Sequence, residues 1–307
     1  MKNKIKIYLI AATIVLAVSL IVFGCSVFAA SPGRITWLIA GFDDAAENTD
    51  VLCIVDLDFA TGLINVLQIP RDTYFNFGDS QNKINQFFPA IRSKGLTRHS
   101  AMHALCDTLE KNLAVSIDGY IGITTQTFTD AVSYLGGLFV ESEGDIELLS
   151  DGGKPLLSLE KGENHLSPQQ ALILARYRSG YARGDLERLD AQKLLITGFY
   201  KTVVKAGGYG VLANMLLSLD GVVSDISLSQ IVPLIGRMPS ISDMTVSVNR
   251  LPGEAVQDAG GLWYYVINKR GSVDLLRLCA AFDEENFDPD RVFLKKENKK
   301  FSDIYYS

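Results

Sequence analysis

Ile35-Thr36-Trp37-Leu38-Ile39-Ala40 ending at Gly41, Asp50-Val51-Leu52-Cys53-Ile54-Val55-Asp56, and Leu63-Ile64-Asn65-Val66-Leu67-Gln68-Ile69 decide the fold. Each is a short apolar run rich in β-branched residues, the pattern of a strand. Asp58-Phe59-Ala60-Thr61-Gly62 lies between the second and third, a hairpin turn with glycine at its end. The runs are apolar almost throughout, which predicts that helices cover both faces of the sheet.

Working outward, Ala101 to Leu113 reads as a helix, Gly119 to Thr124 as a strand, Thr125 to Leu135 as a helix and Leu138-Phe139-Val140 as a strand. Ser167-Pro168-Gln169-Gln170 opens a further helix. Ser167 suits the cap, Pro168 the first helical position, and Gln170 the return bond of a capping box. A long helix is expected from about Asp185 to Val204, with others over Gly210 to Leu219, Ser227 to Ile235 and Ser272 to Phe282. Strands are expected near Thr245-Val246-Ser247-Val248 and Leu262-Trp263-Tyr264-Tyr265-Val266. This alternation predicts a three-layer α/β/α sandwich with a mixed central sheet over residues 34–282. A charged tail follows over 283–307, and one transmembrane helix precedes the sandwich.

That helix is read from Ile7 to Gly33, 27 residues without a charge. About 20 such residues span a bilayer. Lys2, Lys4 and Lys6 precede the run, so residues 1–6 form a cytoplasmic stub, residues 7–30 an anchor, and the body lies outside the cell membrane. Val27-Phe28-Ala29 is a rival signal-peptidase site. Val22-Phe23-Gly24-Cys25 is a rival lipoprotein box, poorly matched at the bulky Phe23. The run exceeds the 7–15 apolar residues usual for a signal-peptide core, which favours the uncleaved anchor.

The chain has 307 residues, 48% of them hydrophobic and 21% charged, which excludes a disordered chain. Its 29 basic and 35 acidic residues give a net charge of −6. Three of the 29 are the leading lysines, so residues 7–307 carry 26 basic and 35 acidic residues, a net −9. So acidic a body is no general nucleic-acid binder, because phosphate neutralisation needs a basic surface. Four cysteines make no disulfide framework, and Cys53 and Cys106 read as small buried apolar residues.

Chemistry concentrates in four places. Gly41-Phe42-Asp43-Asp44 follows the first strand and Asp50 opens the second, where carboxylates can converge on a hard cation such as Mg²⁺; the bland alternative is ordinary turn acids. Pro70 ends the third strand and throws Arg71 and Asp72 beyond the sheet. An Arg beside an Asp is either a surface pair of little worth or a phosphate ligand held by its neighbour. Lys83-Ile84-Asn85 lies in the loop that follows. Arg176, Arg178, Arg183 and Arg188 then fall within thirteen residues of an otherwise acidic chain. Arg176 and Arg178 point to opposite sides of a continuous helix and converge only if the helix ends near Tyr177. Asp185, Arg188 and Gln192 are spaced i, i+3, i+7 and form one polar stripe. Clustered arginines suit a bidentate grip on phosphate oxygens. His99 and His103 stand four apart, but without a nearby glutamate they read as helix-surface residues.

Over roughly Ile35 to Val204 the chain resembles the LytR-CpsA-Psr family. The resemblance is carried by Gly41-Phe42-Asp43, Thr49-Asp50, Ile69-Pro70-Arg71-Asp72, Lys83-Ile84-Asn85, Ile117-Asp118-Gly119-Tyr120 and Leu135-Gly136-Gly137. It continues through Leu166-Ser167-Pro168-Gln169-Gln170-Ala171-Leu172, Arg176-Tyr177-Arg178 and Gly184-Asp185-Leu186-Glu187-Arg188 with Gln192. It implies a membrane phosphotransferase that moves a glycopolymer, of teichoic acid or capsular polysaccharide type, from an undecaprenyl-diphosphate carrier to peptidoglycan. It further implies Mg²⁺ on Asp43 and Asp50, and a catalytic pair in Arg71 and Asp72. Lys83, Arg176, Arg178, Arg188 and Gln192 would hold the diphosphate, with Asp185 orienting Arg188. An apolar cavity for the polyprenyl tail would lie between sheet and helices. One position departs: the family has an Arg two residues before the second metal aspartate, and here Asn48 stands there, with Arg183 as a possible replacement. The proton acceptor is left open among Asp72, Asp50 and bulk water. A polyprenyl-diphosphate hydrolase and a non-enzymatic envelope-sensing regulator are the alternative functions.

Overall fold

The computed structural model describes residues 33–43, 48–76, 81–177, 185–226, 240–257, 261–279 and 282–286. The expected anchor over 7–30, the helix at Ser227 to Ile235 and most of the tail lie outside them. Among the described residues no helix is long and apolar enough to cross a membrane.

The three quoted runs form β1 (Arg34–Phe42), β2 (Thr49–Asp58) and β3 (Leu63–Gln68), joined as successive antiparallel neighbours. The turn between β2 and β3 closes as its residues dictate. Asp58 Oδ1 accepts the backbone N–H groups of Ala60 and Thr61 at 3.0 and 3.2 Å, and Gly62 takes the left-handed φ of 68°. Further strands are β4 (Tyr74–Asn76), β5 (Gln81–Lys83), β6 (Gly119–Ile123), β7 (Leu138–Ser142), β8 (Ile146–Leu149), β9 (Pro155–Leu159), β10 (Gly162–Leu166) and β11 (Val223–Ser224). The last three are β12 (Thr245–Arg250), β13 (Gly253–Gln257) and β14 (Trp263–Ile267). The helices are α1 (Phe87–Arg92), α2 (Arg98–Leu113), α3 (Thr125–Tyr134), α4 (Pro168–Arg176), α5 (Asp185–Ala206), α6 (Tyr209–Ser218) and α7 (Lys269–Cys279).

The central sheet runs β11-β6-β1-β2-β3-β12. β6 pairs parallel to β1 and β12 parallel to β3, so the sheet is mixed, as expected. Leu38, Leu52, Ile54 and Leu67 face one way and pack with Met102 and Leu105 of α2. Cys53, Val66 and Val248 face the other way and pack with Ile196 of α5. Alternate residues of the same strands therefore feed two helix-covered faces. At Gly122 an added Cβ would stand 2.6 Å from the Phe42 ring, so only glycine lets β6 pass there.

Three things differ from the sequence reading. Asp56, read as the end of the second run, lies inside β2 and is fully buried, held by Arg34 Nε at 2.8 Å and by the Thr36 hydroxyl at 3.2 Å. The hairpins β4–β5 and β8–β9, and the strands β10 and β13, gave no readable signal, because they are short and alternate weakly. The head of the tail is docked, with Asp283 N–H donating to Ala114 C=O at 2.7 Å. Ser167 caps α4 in the expected capping box, with Pro168 in the first turn. Cys53 and Cys106 are free and buried, and burial pushes both thiols up to about 12.

β1 and β3 run in the same direction, and β6 and β12 run with them. The carboxyl ends of these four strands and the start of β2 therefore meet at one edge of the sheet. Open α/β sheets bind ligands at that edge.

Candidate active site

Asp43 follows β1 at this edge. Its N–H donates to Asn48 C=O at 3.1 Å, which continues the ladder past the strand end. Asn48 returns two bonds to the Asp43 carboxylate, from Nδ2 at 3.0 Å and from the backbone N–H at 3.4 Å. Asn48 thus orients Asp43. Asp50 owes its place to a β-bulge. Gly41 pairs with Val51 and Phe42 with Thr49, so Asp50 is the extra residue on its strand. Bulges re-aim side chains and recur beside active sites.

Pro70 ends β3, and Thr73 N–H donates back to Pro70 C=O at 2.9 Å. Arg71 and Asp72 are the two central residues of that turn, which is why both project beyond the sheet. Arg71 Nη1 reaches Asp50 Oδ1 at 2.7 Å, and Lys83 Nζ reaches Asp72 Oδ1 at 3.0 Å. Tyr265 N–H of β14 donates to Asp72 C=O at 2.8 Å, and Lys83 stands 5.9 Å above the Tyr264 ring. Two cation–carboxylate pairs therefore lie side by side.

Helix α5 packs over the sheet and reaches the same edge. Gln68 Nε2 donates to Leu189 C=O at 3.0 Å and ties the helix to β3. Arg188, only 2% exposed, donates from Nη2 to the backbone carbonyl of Asp50 at 3.3 Å. Gln192 lies one turn further along and is buried. Of the expected Asp185–Arg188–Gln192 stripe, Arg188 and Gln192 are both buried, and Arg188 reaches the backbone of Asp50. Asp185 opens α5 as expected, but its side chain lies outside the described residues, as do Arg178 and Arg183.

Helix α4 ends at Arg176, and Tyr177 turns extended with φ −62° and ψ 136°. That is the helix end the arginine reading required. Arg176 itself lies on the surface at the end of α4. His99 and His103 lie on the surface of α2 against Tyr120, with His99 Nδ1 3.0 Å from the Tyr120 hydroxyl.

Among the described residues no group of three or more His, Cys, Asp or Glu could hold a metal ion. Two carboxylates at adjacent strand ends do fit Mg²⁺, which characteristically takes one or two carboxylates and fills its shell with substrate phosphates and water. Sequence reasoning quoted Thr49 and Asn85 within their motifs but assigned neither a role. Thr49 Oγ1 and Asn85 Oδ1 are buried oxygens without a hydrogen-bond partner, and Gln192 Oε1 is a third. No sequence signal separates such buried polar groups from exposed ones.

The chain is an α/β protein with paired carboxylates and arginines gathered at the carboxyl edge of a mixed sheet. It belongs to the LytR_cpsA_psr family, whose model matches residues 19–277. It is 28% identical over 251 residues to a Bacillus cereus protein named polyisoprenyl-teichoic acid–peptidoglycan teichoic acid transferase TagU, covering 78% of this chain and 75% of that one. It is 33% identical over 169 residues to the Bacillus subtilis transferase TagV, covering 52% of this chain and 41% of the other. The crystal structure of Bacillus subtilis TagV superposes with a TM-score of 0.64 at 23% identity, over 84% of this chain and all of that one, and shares the fold.

Proposed function

We propose that this protein is a membrane-anchored, Mg²⁺-dependent phosphotransferase. It moves a teichoic acid-type glycopolymer from an undecaprenyl-diphosphate carrier to a peptidoglycan hydroxyl on the outer side of the cell membrane. Relatives named as teichoic acid transferases support the polymer class. The observation that carries the reading is the convergence of Arg71, Asp50 and buried Arg188 from three separate elements on one edge of the sheet.

Phosphoryl transfer needs charge neutralisation and positioning more than covalent help. Arg188, Gln192, Arg176 and Arg178 bind the diphosphate of the donor. Lys83 adds charge beside Asp72. Arg71 stabilises the charge that develops as the bond to the lipid phosphate breaks. Asp43 and Asp50 would hold Mg²⁺, with Asn48 fixing the Asp43 carboxylate. When bound, the ion neutralises diphosphate charge. The acceptor oxygen forms the new bond to phosphorus, and the lipid monophosphate leaves with the electron pair of the broken bond. A tether at residues 7–30 raises the local concentration of a lipid-borne donor.

The test supplies the full-length chain in detergent with a synthetic undecaprenyl-diphosphate oligosaccharide, Mg²⁺ and peptidoglycan fragments. Transfer of the sugar phosphate to the fragment with release of lipid monophosphate is expected. Release to water alone would identify a hydrolase. Binding without turnover would identify a sensing protein.

A further inference from the structure

We infer that Asn85 is a substrate-contacting residue of the site: its Oδ1 accepts a hydrogen bond from the attacking acceptor hydroxyl. This rests on the transferase reading above and deepens it.

Asn85 lies in a single 3₁₀ turn, Ile84–Gln86, directly after Lys83. Its backbone N–H donates to Arg71 C=O at 3.2 Å, and the preceding Ile84 N–H donates to Thr73 C=O at 2.8 Å. The turn also packs against β2, the strand that begins with Thr49 and Asp50. Asn85 is thus fixed between Arg71 and the Asp50 strand. Its side chain is only 9% exposed, and Oδ1 has no partner. Native proteins keep few buried oxygens of this kind, and each asks for a reason.

The polarity of the atom narrows what fills it. An amide oxygen only accepts. The oxygens of an ionised diphosphate also only accept, so the donor phosphates cannot satisfy it. Its complement is a hydroxyl, an N–H or a cation. The cationic side chains beside it, Arg71 and Lys83, are engaged with Asp50 and Asp72. The alcohol of the acceptor sugar is the hydrogen-bond donor that the reaction itself brings. Arg188 reaches the Asp50 backbone from α5, where the diphosphate is proposed to bind. In the step, the hydroxyl oxygen bonds to phosphorus, the lipid phosphate departs with its electron pair, and the hydroxyl proton is released to solvent. Asn85 aims the hydroxyl and is itself unchanged.

The test compares the full-length chain with Asn85→Ala and Asn85→Asp. Two quantities are read: affinity for the synthetic lipid diphosphate, and transfer of its sugar phosphate to a peptidoglycan fragment. Asn85→Ala is expected to bind the lipid within about twofold of wild type. Its transfer should fall about tenfold to a hundredfold, the scale of a misplaced reactant. Asn85→Asp keeps an accepting oxygen and should transfer more than Asn85→Ala. The inference is overturned if Asn85→Ala transfers like wild type, if lipid affinity falls in step with transfer, or if the aspartate variant is the weaker of the two. Unfolding of both variants would assign Asn85 a structural role and overturn it equally. Wild-type protein that binds the lipid but transfers nothing would instead remove the transferase reading.

Discussion

Arg71 Nη1 and Asp50 Oδ1, 21 residues apart in the chain, meet at 2.7 Å across the sheet edge. The pair joins the turn after β3 to the bulge of β2. The two side chains are 21% and 33% exposed, and ion pairs this accessible add little to stability. Their contact is better understood as poise, with the guanidinium held where a phosphate can compete for it.

Arg71→Ala should therefore lower kcat strongly, about a hundredfold, the loss typical when a charge-stabilising donor is removed. Its melting temperature should stay near wild type. Steady-state kinetics on one synthetic lipid donor, with thermal unfolding alongside, checks both halves; wild-type kcat would take Arg71 out of the reaction.

Asn48 holds Asp43 through its side-chain amide, and on the proposed Mg²⁺ role of Asp43 loss of that hold should weaken metal binding. Partners that orient a ligand typically change metal affinity about tenfold to a hundredfold. Asn48→Ala should need correspondingly more Mg²⁺ to saturate donor binding. Titration of Mg²⁺ by calorimetry or by lipid-analogue fluorescence reads this without turnover. An unchanged midpoint would show that Asn48 only closes the turn.

Arg188→Lys keeps the charge but loses the planar fork. Donor KM is expected to rise about tenfold while kcat changes less. The buried position also predicts a lower melting temperature, because a compact ammonium is more strongly hydrated than a guanidinium and costs more to bury. Equal loss in kcat and kcat/KM would place Arg188 with Arg71 as a transition-state residue.

Asp56 gives a pH signature. Burial raises its carboxyl above the usual range, and the nearby Arg34 offsets this only in part. A raised acid is favourable to folding while protonated. Its contribution is full below the unfolded pKa of about 3.9 and is lost as pH rises through the higher folded value. Thermal melts of wild type across the acidic range should carry this component, and Asp56→Asn should lack it. Superimposable profiles would contradict the burial effect.

Protease added to protoplasts should digest the body, given three lysines before an uncharged run of 27 residues. Full protection would reverse the topology.

What the sequence determined by itself was local. The β2–β3 turn follows from Asp58 and Gly62, and the α4 cap from Ser167, Pro168 and Gln170. The Arg188–Gln192 stripe follows from spacing on α5. Each depends on residues within one or two turns of chain, where propensity and hydrogen-bond chemistry act directly. Tertiary structure alone decided which of these met. The flanking places of β11 and β12, the bulge that frees Asp50, the Asn48 hold on Asp43 and the burial of Asn85 behind Arg71 all depend on strand register and on helices packing over the sheet. Those choices are made by contacts between distant segments. A residue such as Asn85 has the same composition signal whether its amide lies in water or, as here, is closed off beside two charged pairs.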